Sequence, residues 1–171
     1  FDFALIAGDR NTALDEPYSI LLTETVANNI FGHSNVINET LKMDDDLYKI
    51  TGVLADIPEA SHLQFKILLS ITTRTADDPE FNNKWGSNFL VTYLQLTPGA
   101  NLSSMTERYP DHLKKSSSWE EINEYIKIFL QPLPEVHLAS TDIEHDYINY
   151  RKFNGDYLDV FSLVGLFILI I

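Results

Sequence analysis

The spacing of apolar residues predicts a strand, a helix and a hairpin in the first third of the chain. Ser19–Thr23 is a short apolar run, as expected for a strand. Over Glu24–Phe31 the apolar residues recur four positions apart, which predicts a short helix, and Gly32 follows where a left-handed C-cap is expected. Thr40–Met43 and Leu47–Leu54 follow, and alternation along the second segment predicts a half-buried hairpin.

The second half of the chain has the pattern of a strand, a helix and a strand. Strands are predicted over Phe65–Ser70 and Asn88–Thr97, and the second has apolar residues on both faces, which predicts that both are covered. Asn101 can cap a helix. Alternation over 126–130 predicts a further strand, so residues 88–133 form a right-handed βαβ unit if these strands are parallel.

The helix predicted after Asn101 contains a proline. Its apolar residues at helical spacing are Leu102, Met105, Tyr109 and Leu113. Pro110 lies within this pattern and has no N–H group, so we expect it to kink or interrupt the helix near Tyr109.

The chain ends in an uncharged apolar run, Val160–Ile171. A helix that crosses a bilayer needs about 20 such residues, so this run is too short to span a membrane alone. Because the sequence stops within the run, we predict that residues 158–171 are the start of a transmembrane helix; a buried C-terminal core helix is the alternative. Asp156 and Asp159 would then lie on the non-cytoplasmic side.

The composition restricts the classes of partner. With 171 residues, 44% of them hydrophobic, the chain can bury a core and is not expected to be disordered. Its net charge of −13 would repel phosphate backbones, so no nucleic-acid partner is expected. The absence of cysteine excludes disulfides, thiolate metal sites and cysteine nucleophiles from this sequence.

No familiar catalytic or phosphate-binding motif is present. The glycines form neither G-x-G-x-x-G nor G-x-x-x-x-G-K, and the sequence has no G-x-S-x-G or H-E-x-x-H. We therefore predict that the chain is not an enzyme, that it has no catalytic or cofactor-binding residues, and that any ATPase is another chain or domain.

One cluster contains side chains that could bind a metal. Its members are His137, Asp142, Glu144, His145 and Asp146. Imidazole and carboxylate groups can hold zinc, but neighbouring side chains point in different directions on any regular element and nothing fixes a third ligand. We interpret the cluster as a surface loop and predict no metal site.

Three further features have a structural interpretation. Asp44-Asp45-Asp46 lacks the alternating ligands and the glycine of an EF-hand loop, so a solvated turn is expected. Ser61 and His62 are adjacent and would rarely reach each other, which favours a turn-stabilising hydrogen bond over a catalytic pair. Trp85 is expected to be a buried anchor between two lobes, not a sugar-binding platform.

Several sequence blocks together resemble a known family. They are FDFALIAGD (1–9), EPYSILLTETVANNIFG (16–32), YKITGVLADIPEASHLQF (48–65), WGSNFLVTYLQL (85–96), QPLPEVHL (131–138) and FNGDYLDVFSLVGLFILII (153–171). In this order they resemble the MacB-like periplasmic core domain of FtsX-like ABC-transporter permeases of the Bacteroidetes type. The pattern GV–DxP–SH–F within 48–65 is the most specific. Asn38 replaces a usual glycine, and asparagine tolerates the left-handed conformation better than most residues.

The resemblance implies an α+β, two-lobed extracytoplasmic module. A Porter-like lobe with the βαβ unit would comprise residues 1–15 and 86–157 and be incomplete at its N-terminus. A small, β-rich Sabre-like lobe would be inserted over residues 16–85, and residues 158–171 would begin the transmembrane helix.

The resemblance also implies a mechanical function. ATP hydrolysis in the cytoplasm would move the membrane helices, and the periplasmic domains of two permease copies would respond, for export or envelope remodelling. The implied partners are a cytoplasmic ATPase subunit acting through the membrane domain, a second permease copy, and an envelope partner or substrate. The implied location is the bacterial inner membrane, with this domain facing the periplasm. The alternative is an extracytoplasmic ligand-binding sensor domain of a membrane receptor.

Overall fold

A computed structural model describes residues 2–83, 91–117, 119, 121–143, 146, 149 and 152–170. Contacts divide the chain into two units, Phe1–Lys84 and Trp85–Ile171. The first unit is built around a mixed sheet, and the described part of the second unit contains helices and extended segments.

The sheet of the first unit has five strands in the order β1-β4-β2-β5, with β3 also paired to β4. The strands are β1 Leu5–Gly8, β2 Ser19–Thr23, β3 Thr40–Met43, β4 Asp46–Leu54 and β5 Ile67–Leu69. β2 and β4 are parallel, and the other pairs are antiparallel. The strand predicted over Phe65–Ser70 is therefore present but shorter.

The helices of the first unit are α1 Glu24–Phe31 and α2 Thr72–Asp77, followed by a 3₁₀ turn over Phe81–Asn83. The bounds of α1 agree with the prediction. It ends at Gly32, whose φ of 81° and N–H bond to the Asn28 carbonyl form the predicted left-handed cap.

β2 is the centre of the core because it is buried along its whole length. The cluster on one face contains Ile20, Leu22, Ala27, Val36, Ile50 and Val53, and the cluster on the other contains Ala13, Leu21 and Leu54. Alternate residues of β2 thus belong to different clusters, as the two-residue period of a strand requires. A strand covered on both faces keeps its side chains from water on both sides.

The predicted hairpin between β3 and β4 is confirmed. Asp44, with φ of 53°, lies in the turn, and β4 begins at Asp46. Before the hairpin, Asn38 has φ of 69° and donates its N–H to the Ile50 carbonyl at 2.8 Å. The asparagine therefore occupies a left-handed turn, as expected from its tolerance of positive φ.

β1 lies in the sheet of the first unit, where it pairs with β4. The family resemblance instead implied that residues 1–15 belong to one lobe with residues 86–157. Pairing with the open edge of β4 satisfies backbone groups that would otherwise face solvent, which is a physical reason for this position of β1. The assignment of the two family lobes to particular residue ranges stays a prediction.

The described part of the second unit contains α3 Leu102–Ser116, α4 Ile122–Tyr125 and α5 Asp156–Ile170, with a 3₁₀ turn over Leu133–Glu135. Asn101 caps α3 as predicted, since its side chain accepts a hydrogen bond from the Ser104 N–H at 3.0 Å.

Two strand predictions in the second unit are wrong over the residues that the structure describes. Residues 91–97 and 126–130 are not in strands, and all side chains of 91–97 are exposed instead of covered. The predicted βαβ unit over 88–133 is therefore not formed within these residues, while residues 88–90 lie outside them. A strand requires a hydrogen-bonded neighbour, and an alternating pattern describes only how the segment would fit if that neighbour were present.

Of the kink or interruption predicted near Tyr109, the interruption of α3 does not occur. One helix runs through Pro110 to Ser116. Leu113, just beyond the proline, is buried, and the Asn123 side chain donates a hydrogen bond to the Pro110 carbonyl at 3.1 Å. Burial and this bond favour the helix beyond Pro110, although the missing N–H weakens it.

α5 is apolar and exposed along its length. None of its residues is buried, which contradicts the alternative of a C-terminal core helix. Among the described residues, no helix has both the length and the apolar character needed to cross a membrane.

We expect Gly52→Ala to lower the free energy of unfolding by about 1–3 kcal/mol. A Cβ at Gly52 would lie 2.4 Å from Leu21 Cδ2 and 3.2 Å from the Ala7 carbonyl oxygen, so the buried Leu21 side chain would have to move and the neighbouring strand to shift slightly. Urea denaturation followed by circular dichroism measures the loss. Gly165→Ala in α5 is the control, because nothing lies within 4 Å of its added Cβ. Equal midpoints for the two variants would contradict the packing argument.

Candidate functional site

The most specific sequence block, residues 48–65, forms structural contacts in the first unit. Asp56, which follows β4, accepts hydrogen bonds from the Thr25 hydroxyl at 2.6 Å and the Thr25 N–H at 3.2 Å. The hydroxyl bond is the main reason that the pKa of Asp56 is lowered, and the backbone bond contributes. Because Thr25 is in the first turn of α1, the carboxylate also lies at the helix end that favours negative charge.

The rest of this block closes the loop between β4 and β5. The Pro58 carbonyl accepts hydrogen bonds from the Ser61 N–H at 2.9 Å and the Gln64 side chain at 2.7 Å. Phe65 then packs edge-on against Phe3, with ring centroids 5.0 Å apart. Ser61 thus stabilises a turn through its backbone, and His62 is a half-buried residue of the same loop.

A second group of contacts joins the segment before β2 to α2, and the sequence analysis did not identify it. We call this contact between residues 14–19 and residues 70–77 the clasp. The Tyr18 N–H donates to the Thr73 hydroxyl at 2.9 Å, and the Tyr18 hydroxyl donates to the Asp77 carboxylate. The bond to Asp77 is the main reason that the pKa of Tyr18 is raised to about 12. One tyrosine thus contacts both ends of α2.

Three more hydrogen bonds complete the clasp. The Ser70 hydroxyl donates to the Leu14 carbonyl at 2.6 Å, and the Ser70 N–H donates to the Ser19 carbonyl at 3.0 Å. The Thr72 hydroxyl donates to the Asp15 carbonyl at 3.2 Å. Most of these bonds use side chains, in contrast to the backbone ladder of the sheet.

Tyr18 is held in an unusual backbone conformation. Its φ is 56°, which is rare for a bulky residue. Its carbonyl accepts a hydrogen bond from the Lys49 N–H at 2.7 Å, and its ring packs edge-on against Tyr48 with centroids 5.6 Å apart. Partners on β4 and α2 therefore fix the residue from two sides.

The His/Asp/Glu cluster that the sequence analysis interpreted as a surface loop is only partly described by the structure. Asp142 is exposed in a turn, and Glu144 and His145 lie outside the described residues. The His137 carbonyl accepts a hydrogen bond from the Phe153 N–H at 3.0 Å. Within the described ranges, no three His, Cys, Asp or Glu side chains are placed to share a metal ion.

Asp146, the remaining member of that cluster, has structural partners. Its carboxylate lies 3.5 Å from the Lys152 ammonium and accepts a hydrogen bond from the Asn149 N–H at 3.3 Å. Lys152 also donates to the Ile143 carbonyl at 2.6 Å. These contacts tie the segment around residue 146 to the residues preceding α5.

The remaining sequence candidates are the three consecutive aspartates and Trp85. Asp44 and Asp45 lie in the turn between β3 and β4, in agreement with the solvated-turn prediction, and Asp46 opens β4. Trp85 lies outside the described residues, so its predicted role as an anchor stays a prediction.

An open groove of about 390 Å³ runs along α3. The described residues that line it are Met105, Arg108, Tyr109, Asp111, His112 and Lys115. All of them belong to one helix. Ligand pockets usually enclose most of a ligand's surface, which the described lining does not do.

Comparison with known proteins finds a matching family model and similarity to solved structures. Residues 1–110 match the model of a family described as the MacB-like periplasmic core domain. A domain of a proposed permease from Porphyromonas gingivalis is 30% identical, with a TM-score of 0.56 over 69% of this chain and 54% of that chain. The periplasmic region of MacB from Actinobacillus actinomycetemcomitans is 14% identical, with a TM-score of 0.42 over 66% and 49%. The chain thus spans about half the length of both structures. No curated protein matches it in sequence.

Asp56→Ala is expected to destabilise the first unit at neutral pH and to have less effect in acid. The pKa of Asp56 is lower in the folded chain than in the unfolded chain, where it is about 3.9. Its carboxylate therefore stabilises the fold fully above the unfolded pKa, and this stabilisation is lost as the pH falls through the lower pKa of the folded state. Urea midpoints at pH 7 and at several values below pH 4 measure this.

Asp45→Ala is the matched control for Asp56→Ala, because Asp45 is an exposed turn residue for which the described structure records no bonded partner. A midpoint difference between wild type and Asp56→Ala that stays constant down to pH 2 would contradict the role of the ionised carboxylate.

Proposed function

The chain belongs to the MacB-like periplasmic core domain family, and from this premise we propose that it is the extracytoplasmic domain of an ABC-transporter permease. In this proposal the domain transmits ATP-driven movement of the membrane helices to the periplasm, for export or envelope remodelling. The family match and the relationship to a permease domain favour this function over the receptor-sensor alternative.

The observation that carries the proposal is the surface of α5. Its charged residues, Asp156 and Asp159, lie in the first turn, and the rest of the helix is uncharged. Large apolar side chains are exposed around it, for example Phe161, Phe167 and Ile168. A helix that is apolar on all sides is normally surrounded by protein or by lipid. The described structure buries no residue of α5, which supports lipid as its environment.

α5 is long enough to enter a membrane but too short to cross one. Fifteen residues of α-helix measure about 22 Å, against about 30 Å for the hydrocarbon core of a bilayer. We infer that α5 links the folded body to the bilayer and that displacement of this helix moves the body.

The polar groups of the first unit support a mechanical role in place of a catalytic one. Asp56 caps a helix, Ser70 and Thr73 bond to the segment before β2, and Asp77 bonds to Tyr18. A catalytic site needs acid and base groups directed at a common substrate position. These side chains are directed at partners within the fold, and on this basis we propose that the domain performs no reaction.

The proposed partners follow from the family. They are a cytoplasmic ATPase subunit that acts through the membrane domain, a second permease copy, and an envelope partner or substrate. The proposed location is the bacterial inner membrane, with the domain in the periplasm. The strongly acidic surface fits partners other than nucleic acid.

Cysteine accessibility in the complete permease tests the orientation and the lipid environment of α5. The 171 residues contain no cysteine, so each introduced thiol is unique within them. In cells with a permeabilised outer membrane, a membrane-impermeant maleimide is expected to label Asp45→Cys and to spare Ile168→Cys. Detergent should make Ile168→Cys reactive, because its side chain is otherwise in lipid. Equal labelling before detergent would contradict the membrane role of α5.

Spin labels on the first unit test whether ATP moves the domain. In the complete permease with its ATPase subunit, a label at Lys42→Cys on the exposed side of β3 should report a distance between two copies. We expect the distance to change between the nucleotide-free and ATP-bound states. An ATPase subunit that cannot bind ATP is the control and should abolish the change. A distance independent of nucleotide in the wild-type complex would reject mechanical transmission.

A further inference from the structure

We propose that the clasp opens as a unit before the sheet when tension reaches the first unit through residues 78–84. Tyr18 is the positioning residue that sets the force and the free energy needed to open it. This inference deepens the proposed function by naming the element that yields. Opening of the clasp is nevertheless a property of the first unit and can be measured without transport.

After the 3₁₀ turn over Phe81–Asn83, α2 is the next element of the first unit to be loaded from that side. α2 follows β5 and precedes the boundary at residues 84 and 85 between the two units. Tension carried by the connecting chain therefore passes through α2 before it reaches β5 and β2.

α2 depends on the clasp for its stability. It has six residues, and only Thr73 is buried. Isolated helices of this length are not stable in water, because the cost of nucleation exceeds the gain from so few hydrogen bonds. Once the bonds to residues 14–19 break, a helix of this length should unwind.

Tyr18 makes two of the hydrogen bonds of the clasp, one near each end of α2. Its N–H bonds to Thr73 in the first turn of α2, and its hydroxyl bonds to Asp77 at the last position. A carboxylate at the C-terminal end of a helix is disfavoured by the helix dipole, so the phenol donor stabilises Asp77 where the helix does not. Loss of this bond should therefore loosen the end of α2 that is loaded first.

The backbone of Tyr18 also favours opening. A bulky residue with φ of 56° persists only where surrounding contacts hold it, and here these are Thr73, Asp77 and Lys49. When the contacts to α2 break, part of this strain can relax. The sheet stores no such strain in β2, which is paired on both edges and fully buried.

Hydrogen exchange in the complete chain is the first test. Tyr18→Phe should raise the exchange rates of the amides of residues 73–78 by roughly three- to tenfold, the range expected for loss of a hydrogen bond to a charged group that is partly exposed. The amides of β2 and β4 should exchange as in the wild type. An unchanged rate in α2, or an equal increase throughout the sheet, would overturn the proposal.

Further variants test whether Tyr18 acts through its hydrogen bond to Asp77. Tyr48→Phe is the matched control, because the described structure shows a ring contact for Tyr48 but no bond of its hydroxyl, and it should leave α2 unchanged. Asp77→Ala should raise exchange as Tyr18→Phe does, and the double variant should add little, because both changes remove the same bond. Full additivity would show that Tyr18 does not act through Asp77.

Pulling on the chain tests the order of opening. Handles attached at Lys42→Cys and Asn82→Cys load α2 against the sheet, and these would be the only thiols in the sequence. We expect a first step of less than about 40 Å, the full extended length of residues 71–82, because the distance that they already span in the fold is subtracted. Unfolding of the sheet should follow. Tyr18→Phe should lower the force of the first step alone. A single step would overturn the proposal. If two steps are observed here but the spin-label distance does not depend on nucleotide, only the proposed function is rejected.

Discussion

Burial of β2 is the constraint on which the first unit depends. A strand with no exposed residue needs apolar cover on both faces and hydrogen-bonded neighbours on both edges. α1 and the β3–β4 hairpin contribute to the cluster on one face, and residues near Ala13 and Phe65 contribute to the other. Even the polar Thr51 on β4 serves this arrangement, since its hydroxyl bonds to the Ala13 carbonyl at 2.5 Å and the Ile20 carbonyl at 3.1 Å.

The sequence predicts those parts of the fold that local periodicity determines. β2, α1 and the hairpin each have their pattern and their terminating residues within a short segment, and all three are present. Residues 91–97 have an equally clear strand pattern, but they are not in a strand, because strand formation also depends on pairing that local periodicity does not specify. The same limit applies to the clasp, because Tyr18 and Asp77 are distant in sequence and no spacing rule connects a tyrosine to a later carboxylate.

The residues that carry the family resemblance explain the fold better than they explain chemistry. Gly52 permits close packing against Leu21, Asp56 caps α1, and Phe65 packs on Phe3. Each is a requirement of this sheet and its loops. The resemblance could therefore identify the fold class correctly while leaving substrate and partner open, since a family can use one fold with different functional sites.

The sheet and the clasp differ in the interactions that opening would break, and water can replace only those of the clasp. Opening the sheet would expose Ile20, Leu22 and Ile50 and would lose the free energy of their burial, for which water offers no compensation. Opening the clasp breaks hydrogen bonds of groups such as the Tyr18 hydroxyl and the Asp77 carboxylate, which water can largely satisfy. The clasp can therefore open at low cost and close again without passing through an aggregation-prone state. In the proposed mechanical function, the polar contacts of the clasp would yield while the apolar sheet stays rigid.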